Sequence, residues 1–313
     1  MFGPILSWWV GKVIRQMQFP HQADDGRSIS GNVLETFGSG CTLGLKGCSH
    51  EIFQKEARSI PWHLRAFFHE GRAMGVAGRS ACSLRKPNPE LTFQTARYQV
   101  MRFVGYGFWN GVAMTYPAPA PRLSENSSYW QGVSPYAKYR LLMANGFGFS
   151  TVLFAGKFGQ NIKRRFLALN DARQREAVFH GVGRVLWFLY LNNFPALRKV
   201  LKENAEIVEP LGIGLGLAIA FTQAATPHKI LRALDEFPEA QRRHLIRGAG
   251  IALEVHAGND PECRVHIERL IHGELRDWYE GACQASQEAG DGTDWYPRYH
   301  EFTKRFAQLV GIE

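Results

Sequence analysis

The sequence has no Cys-x-x-Cys pair among its five cysteines, Cys41, Cys48, Cys82, Cys263 and Cys283. Their odd number and wide spacing argue against a disulfide framework and a cysteine-built zinc site, and they suit a reducing, cytoplasmic compartment. Catalytic signatures are absent too: there is no Gly-x-Ser-x-Gly elbow, no His-Glu-x-x-His, no Walker loop, no aspartate-rich pair for magnesium diphosphate and no paired Glu-x-x-His of a di-iron bundle. In HIERLIH, His266, Glu268 and His272 stand at offsets of two and six, which do not share one helix face as metal ligands would. No metal and no cofactor is expected.

Charge of one sign is not concentrated either. The formal net charge is +9, but Lys and Arg are scattered, and the densest cluster, KFGQNIKRRF at 157 to 166, is only moderately basic. Nucleic acid is therefore not an expected partner. The N-terminal stretch MFGPILSWWVGKVIRQMQF lacks a basic region ahead of its apolar residues and does not read as a signal peptide. Trp8 and Trp9 followed by Lys12 and Arg15 predict a helix docked on the domain, with peripheral membrane contact as the other reading. The uncharged run PLGIGLGLAIAFTQAATP, 210 to 227, has the length of a short membrane span. Its bounding prolines, and Thr222, Gln223 and Thr226 gathered at one end, favour a buried core helix instead of a transmembrane one.

What the chain does have is glycine in pairs. FHGVGRVLWFLY at 179 to 190 is echoed by HEGRAMGVAG from 69, GYGFWNGVAM from 105, NGFGFSTVLF from 145, GIGLGLAIAF from 212, RGAGIALEVH from 247 and YEGACQASQE from 279. The first small-residue anchors, Gly71, Gly105, Gly146, Gly181, Gly212, Gly248 and Gly281, are spaced by 34, 41, 35, 31, 36 and 33 residues. Arg65, Arg140, Arg175 and Arg242 each precede an anchor by six positions, and Arg276 precedes one by five. A period near 35 marks a repeated supersecondary unit. In the unit at 226 to 258, Ile230, Leu231, Leu234 and Phe237 fall at helical spacing, Pro238 interrupts, and Leu245, Ile246, Ala249 and Leu253 continue on a longer helix. Glycine inside a helix costs about 1 kcal/mol relative to alanine. Its recurrence needs a compensating gain, which close helix approach supplies; a phosphate loop would need a preceding strand, and strand signals are weak throughout.

The expected fold is all-α: a helical-hairpin repeat array of about seven units near 35 residues each, forming a superhelix or a closed α/α ring. Residues 1–50 read as an N-terminal helix and a polar connector, 51–290 as the helical-repeat domain and 291–313 as a C-terminal helix. YPAPAPRLSENSSYWQGVS, 116 to 134, reads as a proline-stiffened insertion that accounts for the long spacing of 41.

EGRAMG (70 to 75), NGFGF (145 to 149), GVGRVLWF (181 to 188) and GAGIALEVHAG (248 to 258) resemble the bacterial proteins grouped as domain of unknown function 1702, many of them encoded in enediyne polyketide gene clusters. The resemblance extends to about residue 290, and GVGRVLWF is its most specific motif. EGRAMG departs from the family pattern at Arg72, where a small residue is common, and His69 before it stands where an aromatic is common. Membership implies a role beside an iterative polyketide synthase that makes long polyenes; it implies no particular reaction.

Polar residues inside the apolar repeat helices are the candidate chemistry. Glu70, Arg184, Glu254 and His256 lie near the glycine anchors, where the carboxylates and histidine suit acid or base work if burial moves them toward neutral pH. The other reading is that arginine and glutamate pair between neighbouring units and hold the stacking register. Tyr106, Trp109, Phe149 and Trp187, among further aromatics near the central anchors, would line a groove for a flat, polyunsaturated chain. Two functions follow as expectations. One is a natural-product biosynthesis protein that binds an apolar polyene or polyketide intermediate in a helical-repeat cavity and assists its cyclisation or tailoring, as a cyclase or tailoring enzyme. The other is a non-catalytic scaffold that docks a polyketide synthase or another protein.

Overall fold

The structure, a computed structural model of the chain, describes residues 27–81, 98, 100–102, 104–108, 136–289 and 295–312, and all regular structure among them is helical. Trp109, the N-terminal segment before residue 27 and the proline-rich stretch 116 to 134 lie outside the described residues. Long helices α1 (Arg27–Lys46), α3 (Arg65–Ala81), α4 (Tyr136–Ala155), α6 (Ala172–Tyr190), α8 (Val208–Gln223), α10 (Glu239–Asn259) and α12 (Glu274–Glu288) alternate with short ones. The short helices are α2 (His50–Ser59), α5 (Gln160–Leu167), α7 (Phe194–Glu203), α9 (His228–Asp235) and α11 (Pro261–Leu270). Residues 100–102 and 104–108 are helical and stand between α3 and α4, and α13 (Trp295–Leu309) ends the series. Local chemistry starts several of these helices. Ser49, Asp171, Asn193 and Asp260 each accept a hydrogen bond from a backbone N–H in the first turn that follows, and α11 opens on Pro261.

The long helices pack side by side in chain order, α1 on α3, α4 on α6, α6 on α8 and α8 on α10. The glycines explain how closely. A Cβ added at Gly181 would fall on the carbonyl of Asn145 in the preceding long helix, and one at Gly183 on the carbonyl of Leu211 in the following one. In return, Gly148 of α4 faces the carbonyl of Val178 and Gly214 of α8 that of His180. Each contact sets a glycine Cα–H against a carbonyl oxygen, an arrangement worth roughly 0.5–1 kcal/mol, which offsets the glycine's cost in the helix. In α8 the glycine that meets the preceding helix is Gly214, not the expected Gly212, whose added Cβ would meet the His244 side chain. Gly214 lies 33 residues after Gly181 and 34 before Gly248, a more even spacing than the one counted from Gly212.

The polar connector expected in the later part of residues 1–50 is corrected. From Arg27 to Lys46 they form α1, because Gly40 and Gly44 face the carbonyls of Phe68 and Arg72 while Val33, Cys41 and Leu45 are buried. The apolar run after Pro210 falls in α8, which together with the helical turn before it (Ala205–Gln223) is long and apolar enough by composition to cross a membrane, yet is buried from Leu211 to Gly216 and from Ala218 to Gln223. Two of the arginines that precede the anchors link consecutive units, Arg140 to Asp171 at 4.0 Å and Arg242 to Glu274 at 3.1 Å. Such exposed pairs guide register more than they add stability.

Early and late parts of the chain also meet. Arg65 pairs with Glu262 and lies 3.6 Å from Asp260, and the Trp62 ring stacks on His266 at 5.1 Å. Helix α13 touches α4, α10 and α12, and its fully buried Phe306 fills the space above Gly250.

Replacing Gly183 by alanine is therefore expected to lower stability by about 1–3 kcal/mol through overpacking, although alanine favours helices. The same change at exposed Gly258 in α10, where an added Cβ meets nothing within 4 Å, should raise it by roughly 0.5–1 kcal/mol. Thermal melts of the two variants, followed by circular dichroism, check the pair of signs.

Candidate functional site

Four polar side chains from three helices form one buried network. Arg184 of α6 donates from Nη2 to Glu70 Oε1 of α3 at 2.8 Å and from Nη1 to Asn145 Oδ1 of α4 at 2.9 Å. The Asn145 amide in turn donates to His180 Nδ1 at 2.5 Å. Glu70 is 2% exposed, Asn145 3%, Arg184 5% and His180 6%, so water does not compete for these bonds. Glu70, Asn145 and His180 each stand immediately before an anchor glycine, and their backbone carbonyls face Gly105, Gly181 and Gly214 of neighbouring segments. The contact that brings the helices together thus sets the same register position of each against its neighbour.

Burial pushes the Glu70 carboxyl above its ordinary range, and Arg184 opposes that shift by charge and hydrogen bond. His180 is driven down to about 3 by burial and then by the Arg184 charge, so the imidazole is neutral. With Nδ1 accepting from Asn145, its proton sits on Nε2, which is buried and has no partner among the described residues. The Tyr299 ring of α13 stands edge-on to this imidazole at 5.9 Å. On the other side, the Arg184 guanidinium lies 5.2 Å from the Phe149 ring centre, and Phe149 stacks on Phe108 at 4.9 Å and meets Phe188 edge-on.

The remaining expected site residues fall elsewhere. His256 donates from Nε2 to the Phe221 carbonyl at 3.1 Å and stacks on the Phe221 ring, which meets Phe67 of α3 at 5.5 Å. Burial lowers His256 to about 4. Glu254 is half-buried on α10 and accepts a hydrogen bond from Ser286 of α12 at 2.7 Å, so it joins two neighbouring helices. Trp187 is fully buried, and its indole N–H donates to Thr222 Oγ1 of α8 at 2.8 Å. Tyr106 is buried in the helical residues that follow α3.

Residues 11–209 match the family described as "Protein of unknown function (DUF1702)", which takes in more than half of the chain. The chain belongs to the DUF1702 family. Neither the curated proteins nor the solved structures contain a match. The part shared with DUF1702 includes Glu70, Asn145, His180 and Arg184, whereas Glu254 and His256 lie beyond it. The four-residue network is therefore the candidate site of the DUF1702 segment. Its chemistry is limited and specific: a carboxyl moved toward neutral pH, a fixed guanidinium that stabilises its charged form, and a neutral imidazole N–H.

Asn145 is the member that motif reading passed over. It stands in NGFGF, and the usable signal was a polar residue directly before an anchor glycine, the position that Glu70 and His180 also hold.

Arg184→Met should destabilise the fold by about 3–5 kcal/mol, because it leaves Glu70 buried without its partner; chemical denaturation measures it. Acid should also weaken the protein. His180 and His256 bind protons less readily folded than unfolded, so stability declines as pH falls from 6.5 toward about 4. The slope approaches about 1.4 kcal/mol per pH unit for each histidine. Glu70 acts in the opposite sense, holding its proton more tightly folded and detracting from stability as pH rises above 4.5. Denaturation midpoints across this range, with His180→Asn flattening the acid limb, provide the check.

Proposed function

We propose that the chain is a biosynthetic protein that takes up an apolar, polyunsaturated intermediate among its helices and assists that molecule's cyclisation or tailoring. Glu70 is the acid–base group, Arg184 sets its charge, and Phe149 with Phe108 meets the apolar chain. The observation that carries this reading is the buried Glu70–Arg184 pair beside aromatic rings. Burying two charges is costly, and apolar residues of similar volume commonly give equal or greater stability. A carboxyl pushed above its ordinary range is what proton transfer near neutral pH requires. The substrate class, a polyene or polyketide of an enediyne-type pathway, comes from the family resemblance, and a cytoplasmic location beside a synthase goes with it.

The architecture that we infer is a helical-repeat array with one glycine register. In its central units, the first glycine of a pair faces the preceding helical segment and the second faces the following long helix, as Gly146 and Gly148, Gly181 and Gly183, and Gly214 and Gly216 do. Helix α1 joins the array through Gly40, which makes the number of units larger by one than the seven anchors suggest. The contacts of Trp62 and Arg65 with His266, Asp260 and Glu262 favour a closed ring over an open superhelix. The scaffold reading has less support. The large apolar side chains exposed among the described residues are Ile52, Leu167, Val265 and Leu309, each on a different helix and offering no common docking face.

Incubating the purified protein with the organic extract of its producing pathway, and identifying retained molecules by mass spectrometry, tests the proposal. An apolar polyene is expected to be retained by the wild type and by Glu70→Gln, and converted only by the wild type. Retention of no small molecule, with co-purification of a synthase, would sink it.

A further inference from the structure

The His180 imidazole has its proton placed by its neighbours and no described group to give it to. Asn145 accepts from Arg184 through Oδ1 at 2.9 Å, so the end of its amide that meets His180 Nδ1 is the NH2 group, and that ring nitrogen accepts. The hydrogen of the neutral ring is thereby fixed on Nε2. This atom is buried and without a hydrogen-bond partner among the described residues. Glu176, one turn earlier on α6, pairs instead with His300 of α13 at 3.3 Å, and from α13 the imidazole meets the Tyr299 ring. The His256 imidazole, also buried, donates its own Nε2–H to the Phe221 carbonyl. A donor left as that of His180 is carries the whole cost of its lost hydration until an acceptor arrives.

Position along α6 says what kind of acceptor fits. His180, Arg184 and Phe188 are four residues apart in turn, so they line one face of the helix over about 12 Å. All three are buried. Along that face the character changes from a neutral N–H, through the guanidinium with its Glu70 carboxyl, to rings. Phe149 lies 5.2 Å from the Arg184 guanidinium and meets Phe188 edge-on at 5.6 Å. We infer that the His180 Nε2–H binds an oxygen of the ligand, and that the molecule is an unsaturated carbonyl compound whose oxygen lies at His180 and whose conjugated chain runs along α6 toward Phe149 and Phe188. The inference rests on the uptake of a polyunsaturated molecule proposed above, and adds which end of it lies where.

The ring is suited to a carbonyl. Burial, followed by the Arg184 charge, brings His180 down to about 3, so it donates a hydrogen bond as a neutral group. A hydrogen bond at the oxygen draws electron density from the double bonds conjugated with it, and a donor fixed in place beforehand does so most effectively. A hydrocarbon polyene offers the N–H nothing to bind.

Titration of the full chain with a tetraenyl methyl ketone, and with the hydrocarbon of equal length and unsaturation, tests the assignment. The ketone is expected to bind about tenfold more tightly, the equivalent of one hydrogen bond to a buried donor that is otherwise unpaired. With a carbon-13 label at its carbonyl, the infrared stretch of the bound ketone should fall below its position in hexane. His180→Gln keeps an acceptor for Asn145 and an N–H for the ligand, and should retain both effects. His180→Phe should lose both while binding the hydrocarbon as the wild type does. The two wild-type measurements decide the matter even where His180→Phe fails to fold. Equal binding of ketone and hydrocarbon, or a carbonyl stretch unmoved from hexane, overturns this inference and leaves the uptake reading standing. Binding of neither overturns both.

Discussion

A backbone carbonyl lying where a glycine side chain would be is the contact on which the rest of this molecule depends. It recurs from Gly40 and Phe68 through Gly181 and Asn145 to Gly216 and Leu245, joining the long helices in chain order. Two helices that meet in this way have little freedom to slide, because any neighbouring residue carries a Cβ that the carbonyl cannot tolerate. Register is therefore set by sterics before side-chain packing refines it. The apolar residues on either side, such as Val178, Val182, Val185 and Leu186 of α6, are then fully buried without voids being forced between the helices.

The same constraint governs where polar groups go. Close approach leaves no room for water, so a charged side chain at such a position must find its partner inside the protein. Arg184 finds two, Glu70 and Asn145, on two different helices. Trp187, one turn nearly on from Arg184 along α6, finds Thr222, whose hydroxyl donates to the Ala218 carbonyl at 2.8 Å. The two side chains begin from one motif and end in different roles. Trp187 is satisfied within the core and joins α6 to α8, whereas Arg184 opposes the upward shift that burial imposes on the Glu70 carboxyl.

Much of the helical content was legible because it rests on local chemistry. The spacing of Ile230, Leu231 and Leu234 marked α9, and the glycine period marked the long helices without any knowledge of their neighbours. Residues 27 to 46 escaped because serine, threonine and glycine give a helix low intrinsic propensity, and only docking on α3 makes α1 worthwhile. Yet Gly38 and Gly40 stand there as a pair, with Gly38 33 residues before Gly71, so the period extended further than it was followed. Gly212 was chosen over Gly214 because GIGLG offers three glycines in alternation, and sequence spacing alone does not say which of them meets a carbonyl.

Of the candidate site, Glu70 and Arg184 were visible as charges in apolar helices, and that rule works whenever a charge has nowhere to hide. It also selected Glu254, which turns out half-buried toward Ser286, since helical periodicity reports a face and not the depth at which it lies. By itself the sequence determined that the chain is helical, that glycines bring its helices close and that a few charges are carried inward, because these follow from spacing along one strand of residues. Tertiary structure alone decided that residue 70 meets residue 184, and that Arg65 meets Glu262. Those pairings span 114 and 197 positions of chain, and they depend on how several close-packed helices accumulate their crossing angles, which no local pattern encodes.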